Sequence, residues 1–296
     1  MGTINTAFVK QYSDMVMHLV QQTTSRLRGA VMVDADFTGE YKFYDQLGQT
    51  AMEAKTSRHQ DTPVMDPDHQ RRRVSGTDYI HAFLLDQEDE LNMIIDPTSD
   101  YAKAAAMAAG RQIDQIVYAA LVGTAYSGKD GGTSTTLASY NSSAHITTAT
   151  SGLTVDSLLE TKELLDLAGY SEMERRFYAC TAREIKDLLN TTEVKSSDYN
   201  TVKALAQGDV NSFCGFEFIV LPDDSYTNGV ITRSSGTDKC VAFTESALKL
   251  AIKRDITVRI DERPDKNYAT QVWTALTAGA VRLEEEKVVQ ITVTNA

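Results

Sequence analysis

The sequence predicts an α+β protein carrying a long polar arm. Three observations predict it. From Phe37 onward a long stretch is polar and extended in pattern. An Ala-rich helix then starts at Asp96-Pro97 and runs to Gly123. Three closing segments show period-two alternation: Ile256-Thr257-Val258-Arg259-Ile260, Ala269 to Ala278, and Val288 to Val293. A polar arm that cannot bury its own backbone groups needs another surface to lie on. The expected surface is a second copy of the chain, which points to a structural subunit and away from an enzyme.

Phe8, Tyr12, Met15, Val16 and Leu19 recur at helical spacing and predict an amphipathic helix over Ile4 to Ser25, ended by Gly29. Tyr41, Phe43 and Tyr44 predict a strand, and His69 to Leu85 a second extended run. Between them Asp61-Thr62-Pro63-Val64-Met65-Asp66-Pro67-Asp68 has turn chemistry, so the two runs form a long hairpin with a projecting tip. Asp96 can cap the long helix, Pro97 suits its first position, and Asp100 favours its positive end. Ala105, Ala109, Ile113, Ile116, Val117 and Ala120 trace one face of this spine, about 40 Å long. Gly123 to Gly152, rich in Gly, Ser and Thr, reads as a mobile surface loop with room for a short hairpin.

Further helices are expected from Thr154 to near Gly169, after Thr181 with Glu184 at the capping-box position, and near Asn200 to Gln207. Phe177 to Cys180 reads as a strand. Phe213 to Leu221 reads as one buried strand stopped by Pro222, and Asn228-Gly229 as a turn. Thr244 with Ala247-Leu248-Lys249-Leu250 suggests a short helix.

Composition narrows the function classes. The chain has 296 residues, 42% hydrophobic, with 29 Lys and Arg against 41 Asp and Glu, a net charge of −12. That balance disfavours a dedicated nucleic-acid binder, whose affinity comes from cationic contacts. Arg71-Arg72-Arg73 is too short a run to reverse it. Cys180, Cys214 and Cys240 sit in apolar, strand-like contexts and read as small buried residues of a reducing compartment. No apolar run reaches membrane-spanning length, and no membrane association is expected.

Candidate chemistry is weak. Gly123-Thr124-Ala125-Tyr126-Ser127-Gly128-Lys129-Asp130 approaches a phosphate-binding loop but ends in Asp where Ser or Thr must reach magnesium. Asp34-Ala35-Asp36-Phe37-Thr38-Gly39, closing at Asp45, has the donor spacing of a calcium loop, yet its last position is the shorter Asp and its exit is a strand. A turn is the plainer reading. His18, His59, His69, His81 and His145 lack metal-ligand spacing. Cys180 is a nucleophile only on paper, given its apolar flanks. The acidic runs Asp86 to Glu90 and Glu284-Glu285-Glu286 read as solvated faces, or as partners for Arg71-Arg72-Arg73 of a neighbouring subunit. No catalytic residue, cofactor or metal is expected.

The order of parts resembles the major capsid proteins of tailed bacteriophages, with the Hong Kong 97-like fold. The phrases that carry it are Val33 to Leu47, Ala102 to Val122, Phe177-Tyr178-Ala179-Cys180-Thr181, Gly215-Phe216-Glu217-Phe218-Ile219-Val220-Leu221-Pro222, Ala242-Phe243-Thr244 to Leu250, and Ala278-Gly279-Ala280-Val281-Arg282-Leu283. The resemblance implies an N-terminal arm at 1–40, an extended E-loop at 41–92, a peripheral domain with the spine helix at 93–153 and 254–296, and an axial domain at 154–253. It implies hexamers and pentamers in an icosahedral shell enclosing double-stranded DNA, without sequence-specific binding, in a virion assembled in the host cytoplasm. It implies a portal and a separate scaffolding protein, since the chain before the first arm is too short for a cleaved scaffolding segment, and it admits a decoration or cement protein. The expected inter-subunit contacts are Phe8, Tyr12, Phe43, Tyr44, His69, Arg71, Arg72 and Arg73. Some relatives crosslink through a Lys–Asn bond; Lys55 lies in the arm, but no Asn partner is placed and crosslinking is not expected. An encapsulin-like compartment shell shares the fold and is the alternative.

Overall fold

The computed structural model describes residues 22–62, 64–86, 98–140, 146–149, 152–167, 174–190, 212–225 and 229–294. The helix expected over Ile4 to Ser25 lies outside these residues except for 22–25, which are not helical. A 3-10 turn follows at Arg28–Ala30, with Gly29 inside it. The Asp96-Pro97 start and the Asn200 to Gln207 helix also lie outside the described residues. The chain divides into two compact units. One is Met1–Thr24, Asp78–Gly110 and Arg254–Leu276; the other is Ser25–Thr77, Arg111–Lys253 and Thr277–Ala296.

In the second unit, strand β1 (Met32–Asp34) precedes the hairpin of β2 (Tyr41–Leu47) and β3 (His69–Ser75). Tyr41 pairs with Ser75 and Leu47 with His69, antiparallel. The stem closes where Gly48 N–H donates to the Asp68 carbonyl at 2.7 Å. Strand β4 (Thr77–Leu85) follows, then helix α1 (Thr98–Val122), whose 25 residues span about 38 Å. Ala105, Ala109, Ile113, Val117 and Leu121 are buried along it, as the helical period requires.

The Gly-, Ser- and Thr-rich stretch is not a mobile loop along its described length. It forms a hairpin of β5 (Ala125–Ser127) and β6 (Thr133–Thr135), and β5 pairs with β3 at Arg72 and Arg73 to extend the sheet to β2-β3-β5-β6. Gly128 and Gly131 take φ of 94° and 67° in the turn, where a side chain would be strained. Leu137, in a helical turn at 137–140, is buried.

The larger sheet assembles β7 (Ile146–Ala149), β8 (Arg176–Cys180), β9 (Ser212–Phe213), β10 (Phe216–Val220), β11 (Arg233–Ser234), β12 (Thr237–Thr244) and β15 (Val288–Thr294). Its order is β7-β15-β12-β8-β10-β9, with β11 on β12. Helices α2 (Val155–Leu167) and α3 (Ala182–Asn190) contribute Leu158, Leu165 and Leu188 to its core, beside Tyr178, Phe216, Ile291 and Val293. The stretch Phe213 to Leu221 is a hairpin and not one strand. Cys214 and Gly215 take φ of 52° and 86°, the pair of positive values that a two-residue turn needs. This also removes Cys214 from the strand-like setting expected of it; Cys180 and Cys240 are buried as expected.

The expected helix at Ala247 to Leu250 is a 3-10 turn, Glu245–Ala247, followed by strand β13 (Leu248–Arg263). Leu248 and Leu250 both point into the core, a period of two that apolar content alone does not separate from a helix. Strand β13 begins by pairing in parallel with β1, Met32 opposite Lys249. Strand β14 (Ala269–Arg282) carries Val281 into a small core with Phe37, Val74 and Ala251. In the first unit β4, β14 and β13 lie in one sheet, and Phe83 stacks on His81 and Tyr101 with ring centroids 4.4 and 5.2 Å apart.

Gly279 lies where β14 passes the end of β3. A Cβ there would sit 2.0 Å from the Ser75 carbonyl oxygen. Backbone cannot yield as a side chain can, so Gly279→Ala is expected to destabilise the chain by about 3 kcal/mol. An unchanged denaturation midpoint would refute this.

Candidate interaction surface at the hairpin stem

Strand alternation sorts the stem residues onto two faces. Tyr41, Phe43, Asp45 and Leu47 point outward on β2, with Arg73, Arg71 and His69 opposite the last three. Lys42, Tyr44 and Gln46 point inward, with Arg72 opposite Tyr44. A one-residue slip would exchange the two sets.

The outward face alternates cations with rings. The Arg71 Nε–H donates to Asp45 Oδ1 at 2.5 Å, while its guanidinium lies 5.6 Å from the Phe43 centroid. Arg71 lowers the pKa of the Asp45 carboxyl. Arg73 sits against Tyr41 and Tyr126, 4.8 and 5.1 Å from their centroids. Tyr41, Phe43, Leu47 and Tyr126 stay exposed. Aromatic residues and Arg together are the composition of protein interfaces.

The inward face is tied to the body. Tyr44 Oη donates to Asp34 Oδ2 at 2.8 Å, and Lys42 Nζ pairs with the same oxygen at 2.8 Å. Burial alone would raise the Asp34 pKa, but these bonds hold it at about 2. The segment with calcium-loop spacing is thus a turn whose end carboxylates serve Lys42, Tyr44 and Arg71.

Arg72 is 4% exposed and paired with Glu285 of its own chain. The acidic run expected to be solvated, or to meet a neighbour's arginines, is therefore used internally. Glu286 accepts from Tyr140 Oη at 2.6 Å, and Glu284 pairs with Lys287 at 3.3 Å. Behind Glu285 lies Arg282, fully buried, with burial lowering its pKa. Its Nη1 donates to the Leu121 and Gly123 carbonyls at 2.7 and 3.0 Å, and its Nη2 to Thr135 O at 3.2 Å. These are orphan carbonyls at the end of α1 and beyond it, where a cation is favoured. Asp114 plays a similar part further up the helix. It accepts from Ser25 Oγ at 2.6 Å and from the Arg26 and Leu27 N–H groups at 3.0 and 2.9 Å.

Beside the outward face a groove of about 970 Å³ is lined by residues that include His69, Arg71, Arg72, Gly128 and Lys129. The near-miss phosphate loop thus ends in a strand turn at this groove, and opens no helix.

A second charged cluster lies in the larger sheet. Thr181 caps α3: its N–H donates to Glu184 Oε2 at 2.7 Å, and its Oγ1 accepts from Arg183 N–H at 3.3 Å. Asp238, fully buried, faces Glu184, Asp223, Arg183 and Arg233. Burial, then the hydrogen bond and charge of Glu184, push its pKa well above the usual carboxylate range. Cys180 is buried nearby and its thiol is pushed up as well, which suits packing and not nucleophilic attack. Folded Asp238 holds its proton to a higher pH than the unfolded chain, whose Asp titrates near about 3.9. Its contribution to stability should therefore fall as pH rises from about 4 towards neutrality. Asp238→Asn is expected to flatten that slope, read as denaturation midpoints across the window; an unchanged slope would refute it.

Of the expected contact residues, Phe43, His69, Arg71 and Arg73 share the outward face, whereas Tyr44 and Arg72 point inward. Phe8 and Tyr12 lie outside the described residues. Sequence reading missed Asp114 and Arg282. The signal for Asp114 is a charge inside the buried stripe of α1, between Ile113 and Val117.

A family model described as phage capsid protein matches residues 4–295. A comparison with curated protein sequences finds no match. The fold is similar to the capsid structure of cyanophage P-SCSP1u, with TM-score 0.72 and 13% identity, covering 100% of this chain and 96% of that one. It is similar to the cyanophage Pam1 capsid, with TM-score 0.72, 12% identity and coverage of 99% and 98%. It is also similar to the capsid of Ralstonia phage GP4, with TM-score 0.71, 11% identity and coverage of 99% and 96%.

Proposed function

From the premise that this chain belongs to the phage capsid protein family, a structural protein of the virion with the Hong Kong 97-like fold, we propose that it assembles as hexamers and pentamers. The shell encloses the double-stranded DNA of a tailed phage and acts without catalysis. A scaffolding protein and a portal take part in assembly, and a decoration or cement protein is compatible with it. The reading assigns an arm at 1–40, an E-loop at 41–92, a peripheral region at about 93–153 with 254–296, and an axial region at about 154–253. The family match does not favour a compartment shell of the encapsulin kind.

The observation that carries this reading is the loop between β2 and β3. Among its described residues, 48–68, there is neither strand nor helix, and Met52, Val64 and Met65 are exposed. Apolar side chains held out on a firmly built stem suit burial against a neighbour. Closed assembly repeats one contact many times, so each needs only modest strength. The net charge of −12 leaves packaged DNA weakly held.

Negative-stain microscopy of the expressed chain tests the proposal, with and without a scaffolding protein. Closed icosahedral shells are expected. A small oligomer under all assembly conditions would overturn it.

A further inference from the structure

The stem groove gathers four basic side chains, of which Lys129 and His69 are in no ion pair among the described residues. Arg72 lines it, and its Nε and Nη1 find no hydrogen-bond acceptor although both are buried. Glu285 Oε1, on the carboxylate that pairs with Arg72, also lacks a hydrogen-bond partner, so Arg72 anchors the wall of the groove and the charge left to an incoming group is that of the exposed side chains. Lys129 and His69 line the same groove and are exposed. Arg71 adds a fourth basic side chain, and Asp45, its partner, is the carboxylate among the lining residues. The groove is therefore basic on a chain whose net charge is −12.

Its volume, about 970 Å³, exceeds what one small anion fills and suits a short length of extended chain. The loop that projects from the same stem offers such a length. Asp61 and Asp66 are exposed there, and no ion pair engages them among the described residues. The stem closes at Gly48 and Asp68, so the intervening chain can reach roughly 30 Å outward.

We propose that this groove receives the carboxylates Asp61 and Asp66 from the loop of a second copy of this chain, with Lys129 and His69 as their partners. The inference rests on the reading that the loop reaches a neighbour, and it names where the loop lands. A carboxylate is favoured over a phosphate polymer because Asp45 stands at the groove and Glu286 accepts from its lining residue Tyr140. A single acidic tip avoids them more easily than a continuous run of phosphates does.

A charge exchange tests it. Lys129→Glu with His69→Glu reverses the groove, and Asp61→Lys with Asp66→Lys reverses the loop. Each pair is expected to fold with an unchanged melting temperature and to lower the yield of shells at least tenfold. Combining all four substitutions should restore most of that yield. Normal shells from either pair, or no recovery in the combination, would overturn the proposal. So would a groove variant that forms normal shells but holds DNA less tightly, because the groove would then serve phosphate. Absence of shells from the unaltered chain would instead count against the capsid reading itself, which keeps the two failures apart.

Discussion

Removing residues 50–67 and rejoining the stem through a short glycine-rich linker is expected to give a folded, soluble subunit that forms no stable shells. The stem carries its own pairing: seven facing pairs from Tyr41–Ser75 to Leu47–His69, closed by the Gly48–Asp68 bond. The described residues among those excised contribute no side chain to the buried core, being exposed or half-buried. Shortening the connection lowers the closure entropy by about 1 kcal/mol, which slightly favours the folded state. Stability should therefore hold while shell yield falls by at least tenfold, read by thermal melting and electron microscopy of one preparation. Normal shells from the shortened chain would refute the role given to the loop.

Replacing Arg282 should have the largest effect on stability. Arg282→Met keeps much of the side chain's length but removes every donor. The carbonyls of Leu121, Gly123 and Thr135 then lose their partner. Glu285 keeps Arg72, so the remaining ion pair is intact. The lost bonds to a buried cation should cost about 4 kcal/mol. Arg282→Lys retains the charge without the planar fork and should fall between the two. Equal stability of all three chains in denaturant titration would show that the guanidinium is dispensable.

Much of the architecture is readable from residue order. The spine helix is visible in Ala105, Ala109, Ile113 and Val117, and the α3 cap in Thr181 and Glu184, because both follow from local period and side-chain reach. The stem strands are visible in Tyr41, Phe43 and Val74. What local pattern cannot supply is partnership across long separations. Arg72 and Glu285 meet over 213 positions, and no spacing rule links them. Cys214-Gly215 gives little warning of a tight turn, since a cysteine at positive φ is unusual. Leu248 and Leu250 are spaced by two, as in a strand, but so short an apolar run is weak evidence for either structure, and pairing with β1 decides it. The outward and inward sets of the stem were indistinguishable for a related reason: Arg71, Arg72 and Arg73 are chemically alike, and only the pleat separates them.

The Arg282 guanidinium adds a side-chain tie to pieces that strand pairing already joins. It grips the tail of α1 and the strand before residue 136, and through Glu285 it reaches Arg72 in the stem. A pull on the outstretched loop would therefore meet resistance from the tail of the spine as well as from the stem's own strand pairing.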